Sequence, residues 1–140
     1  MGDSDDLTMQ VVVGVFMVVM GIGIAGIWTM DIIGNPEIDR SRGLLQARDR
    51  SGSVMVPHWI AEYATAVLCL VGGLGLVLGW TSAAWSWIVA IALGALGYTS
   101  LNSLAWVLAD RSRLAYGIPM VIGLVGALVA IALLLSGALI

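Results

Sequence analysis

Four apolar runs, at about residues 8–30, 58–79, 83–109 and 117–140, contain between them no arginine and one carboxylate, Glu62. That pattern constrains the chain more than any other. A run of 23 residues rises roughly 34 Å as a helix, enough for the hydrocarbon core of a bilayer. Inside lipid every backbone N–H and C=O must be bonded within the protein, so such runs become helices. The expected fold is all-α: a four-helix transmembrane bundle forming a single integral membrane domain. Composition agrees, with 60% hydrophobic and 11% charged residues. A soluble domain carries about 25% charge.

Apart from Glu62, charge is confined to the N-terminus, a loop over 31–57 and a short loop before residue 117. Arg40, Arg42, Arg48 and Arg50 follow the first span, and Arg111 and Arg113 follow the third. With four spans these two loops share a side. The positive-inside rule then puts both in the cytoplasm and both termini outside, making these six arginines the topology determinants. A prokaryotic plasma membrane is the expected location. The acidic Asp3, Asp5 and Asp6 are the opposite of a signal-peptide n-region, so the first run reads as a retained helix. All basic residues are arginine, a salt-adapted composition that GC-rich coding bias also produces.

Trp28, Trp59 and Trp106 fall at the expected inner ends of spans, and Trp80, Trp85 and Trp87 at the outer turn, as two interfacial belts. Asn35-Pro36 is a helix-start pair, so a short interfacial helix followed by a flexible link is expected in the first loop. The turn around Trp80–Ala84 is short, so the second and third spans should pair antiparallel.

Burial from water cannot drive helix association within lipid, and small residues that let backbones approach take its place. The expected packing stripes are Gly14, Gly21 and Ala25 in the first span, and Thr65, Cys69, Gly72 and Gly73 in the second. Gly94, Tyr98, Asn102, Ala105 and Ala109 form the third, and Gly123, Ala127, Ala130, Leu134 and Gly137 the fourth. Gly23, Gly26, Gly75 and Gly97 lie beyond one stripe. They read either as a second face, for a homo-oligomer or a partner membrane subunit, or as the ordinary glycine tolerance of membrane helices.

The second span opens with His58, Glu62, Thr65 and Cys69 at i, i+4, i+7 and i+11, within about 60° of helix circumference. Tyr98 and Asn102 share a level with them on the third span, Ser103 lies at the margin, and Asp31 ends the first. One polar cluster at the inner side of the bundle is expected: His58, Glu62, Thr65, Tyr98, Asn102 and Asp31. Three readings compete. The bland one is a structural clasp tying the second span to the third. The second is a proton or cation site with Glu62 titrating and His58 as relay. The third uses His58 for a metal, haem or quinone, but a lone histidine is a poor metal site.

Cys69 stands alone, so no intrachain disulfide or CxxC chemistry is available, and no metal or other cofactor is implied. The arginines are few and interspersed with acids, which excludes a nucleic-acid patch. No catalytic constellation is visible. The function expected is therefore non-enzymatic: an accessory or interaction protein of a membrane complex, or one acting on lipid order. A small oligomeric proton-coupled transporter using Glu62 and His58 is the alternative.

Overall fold

A computed structural model describes residues 3–34, 51–109 and 117–139. They form α1 (Asp3–Gly34), α2 (Ser51–Val77), α3 (Ala83–Ala109) and α4 (Gly117–Leu135). All four are long and apolar enough to cross a membrane. The segment expected as an interfacial helix, and all six arginines, lie outside the described residues.

Two helices overrun their expected ends. The first turn of α1 takes in Asp3, Asp5 and Asp6, whose charges suit the positive end of a helix. Helix α2 starts at Ser51, so the stretch expected as a link is helical and Pro57 lies inside. Proline lacks an N–H, so the Ser53 carbonyl loses its partner one turn on.

Helix α2 stops in a Schellman motif. Gly79 takes φ 73°, a conformation open to glycine. The Trp80 N–H reaches the Gly75 carbonyl and the Gly79 N–H the Leu76 carbonyl. Ser82 then caps α3, its hydroxyl accepting from the Trp85 N–H at 3.3 Å. This tight turn makes α2 and α3 antiparallel, with contacts running from Gly75–Trp85 through Cys69–Ala92 to His58–Asn102. The α4 end repeats the motif around Gly137.

The helices pack in chain order. α1 lies along α2, α2 along α3 and α3 along α4, whereas α1 and α4 touch at few points. The α1–α2 seam is the tightest. A Cβ on Gly14 would stand 2.7 Å from the Gly73 carbonyl oxygen, and one on Gly73 would stand 2.6 Å from that of Gly14. One heptad on, a Cβ on Gly21 would meet the Ala66 carbonyl at 2.8 Å. Backbone thus lies against backbone at positions 14 and 21 of one helix and 73 and 66 of the other, a 3.5-residue periodicity that keeps the seam straight.

The expected stripes on α1, α2 and the middle of α4 face the interior, although Gly137 is exposed. The α3 stripe does not. Gly94, Tyr98 and Ala105 are exposed, Asn102 is half-buried, and the Ala109 side chain lies outside the described residues. The buried face of α3 instead carries Val89, Leu93, Leu96, Ser100, Ser103 and Val107. The reason is complementarity. Gly72 already supplies the small partner, abutting Val89 and Ala92, so α3 can fill the core with bulk.

Candidate polar site within the bundle

The polar stripe of α2 faces the protein, and α3 meets it. Glu62 is 3% exposed. The Ser103 hydroxyl donates to Glu62 Oε1 at 2.8 Å. Asn102 Nδ2 lies 3.3 Å from His58 Nδ1. An amide nitrogen only donates, so Nδ1 accepts and the neutral ring carries its proton on Nε2. Nε2 faces Glu62 Oε1 across 3.7 Å. That is too long for a hydrogen bond, and close enough for an ion pair when the ring is protonated.

Helix α1 closes the site with Trp28. Its ring meets the His58 ring edge-on at 4.8 Å and 81°. One turn away the Thr29 and Tyr63 hydroxyls bond at 2.8 Å, linking α1 to α2. Adjacent residues of α3 therefore hold two residues of α2 one turn apart. With Nδ1 as acceptor, the proton of the neutral ring stays on Nε2 and faces Glu62 Oε1.

Of the residues expected to cluster, the structure brings together His58, Glu62 and Asn102. Thr65 is buried beside them, but its hydroxyl returns to the Ala61 carbonyl of its own helix at 2.8 Å. Tyr98 is corrected: it is 68% exposed on the outer face of α3. Asn102 turns partly inward, and Ser103, one residue further round, makes the close contact. Asp31 stands in the last turn of α1, and its side chain lies outside the described residues. Cys69 is buried, its thiol directed at the Ala92 carbonyl at 3.9 Å, as a packing residue of α2 and α3.

Trp28, expected in an interfacial belt, is 7% exposed and belongs to the site. Trp80 and Trp87 are exposed at the α2–α3 turn, as a belt requires. The periodicity Leu96, Ser100, Ser103, Val107 was the available signal for the inward face of α3.

A partly open cavity of about 310 Å³ reaches Glu62 between α1 and α4. Val19, Met20, Ile24 and Ile27 of α1 and Pro119, Met120 and Ile122 of α4 contribute to its walls, and Glu62, Thr99 and Ser100 are its polar groups. Among the described residues, no three His, Cys, Asp or Glu side chains gather as a metal site would need. No protein-family model matches this chain, and no curated protein or solved structure matches it.

Proposed function

We propose that this chain is a non-enzymatic accessory or interaction protein of a prokaryotic plasma membrane, with both termini outside and its arginines in the cytoplasm. It binds another membrane helix, from a partner subunit or a second copy, along the outer face of α3. The observation that carries this reading is Tyr98. It stands about 16 Å from the Ala109 end of α3 and about 22 Å from the Ala83 end, further than a tyrosine reaches toward either interface. A hydroxyl left unbonded in hydrocarbon costs about 2–7 kcal/mol, so this position favours a polar partner. Gly94, one turn away, is open, and a Cβ there would meet nothing within 4 Å. A small residue beside a hydroxyl is the pattern by which membrane helices approach and bond. The clasp of Ser103 and Asn102 on Glu62 and His58 then has a structural role, holding α3 at a set rotation.

The test is a Gly94→Phe variant reconstituted in bilayers beside wild type. The variant should match wild type in thermal stability yet lose the adducts that a cross-linker at Leu101, exposed on the same face, gives in native membranes. A wild-type chain that stays a solitary monomer in bilayers and yields no adduct would end this reading.

An oligomeric proton-coupled transporter is the second reading, favoured by the Glu62–His58 pair and the cavity that reaches it. It requires Glu62→Gln to abolish proton-linked flux in liposomes while the fold survives. Undiminished flux in that variant would dispose of it.

A further inference from the structure

The space between α1 and α4 differs from the other helix seams. The two backbones stand apart there, bridged by Phe16 against Gly126 and Met20 against Gly123, and the rim carries Val19 and Ile122, both exposed on outward faces. A molecule entering by that route comes from the lipid. The walls are apolar, which suits a hydrocarbon chain, and the volume lies at the small end of the roughly 300–1,000 Å³ usual for small-molecule sites.

Two polar groups give the cavity a chemical preference. Ser100 is 3% exposed and lines it on the α4 side, beside Gly123. Among the described residues no hydrogen bond holds its hydroxyl, whereas Thr99, its neighbour, returns to the Ala95 carbonyl at 3.0 Å. Glu62 is the other group. It already receives the Ser103 hydroxyl and faces the His58 Nε2–H, so it serves as an acceptor, and a further ligand on its free lone pairs must donate. A ketone, ester or quinone carbonyl cannot donate. Among the described residues no aromatic ring lines the cavity, so a cationic head would find none of the faces that stabilise it there. A hydroxyl meets both demands, donating to Glu62 and accepting from Ser100.

We propose that this cavity binds a neutral membrane alcohol, a single long or isoprenoid chain with a hydroxyl head placed between Glu62 and Ser100. The site lies away from the outer face of α3 and does not depend on the association argued above.

The full chain in lipid nanodiscs, labelled with a diazirine-bearing hexadecanol, tests this. Labelling should saturate, map to α1 and α4 around Val19–Ile27 and Pro119–Ile122, and fall with added plain hexadecanol. Ser100→Ala should weaken binding about fivefold, the loss of one hydrogen bond. Gly23→Leu should abolish it by filling the cavity, since a Cβ at Gly23 meets nothing within 4 Å and leaves the fold intact. Labelling that does not saturate, or that a headless diazirine alkane reproduces, would show a groove filled by bulk lipid and overturn the proposal. A stronger response to a quinone or quaternary ammonium probe would overturn it equally. Should Gly23→Leu lose stability, the Ser100→Ala affinity decides: an unchanged value refutes the site.

Discussion

Leucine at position 73 will drive α1 off α2. A Cβ there already stands 2.6 Å from the Gly14 carbonyl oxygen, and also 2.9 Å from Met17 Cβ. The first contact is backbone, so no rotamer change relieves it. Overpacking costs about 1–3 kcal/mol where side chains can shift, and the upper end or beyond is expected where they cannot. Helix separation would also release Trp28 from His58. Thermal unfolding in mild detergent should show Gly73→Leu destabilised by about 3 kcal/mol, with Gly23→Leu, in open space, near wild type. Equal stability of the two variants would mean that the α1–α2 seam is not built on Gly14 and Gly73.

The second large effect is expected at Ser103. Among the described residues, its hydroxyl is the close donor that α3 offers to the buried Glu62 carboxyl. Valine keeps much of the volume and removes the bond. Hydrogen bonds to charged groups contribute about 1.5–3 kcal/mol, and a carboxylate left short of donors in a buried site pushes the loss toward the larger value. Ser103→Thr, which keeps the hydroxyl, should restore most of it. In denaturant unfolding, a Ser103→Val chain as stable as Ser103→Thr would remove the clasp from consideration. A double-mutant cycle with Glu62→Gln separates the pair from its surroundings, since residues sharing one hydrogen bond do not add.

The spans were legible because lipid leaves the backbone no choice, and four long apolar runs can satisfy it only as helices. Their ends were less so. Ser51 to Val56 reads as polar linker followed by proline, yet the helix passes through Pro57 at the loss of a hydrogen bond. The rotation of α3 was hidden for a different reason. A helix apolar on every side shows no preferred face, and its inward side is set by volumes on its neighbours. Gly72 on α2 decides that Val89 and Ala92 go in, and Tyr98 is then carried out. On α2 the i, i+4 spacing of His58 and Glu62 puts both on the face that meets Asn102 and Ser103 of α3. Trp28 was hidden among tryptophans that anchor at interfaces, and Ser100 was indistinguishable from any small residue until the position of α4 was known.

Each helix of this bundle rests chiefly on the one made just before it, and the seam between the first and last is slack. Assembly can therefore follow synthesis. The α1–α2 hairpin can close before α3 emerges, and the Glu62 clasp can form before α4 exists. Contacts between chain neighbours carry little loop-closure penalty, which favours rapid maturation. The last helix then arrives as a late wall, so a nascent chain arrested before Gly117 would hold its buried carboxyl in place with one flank still uncovered.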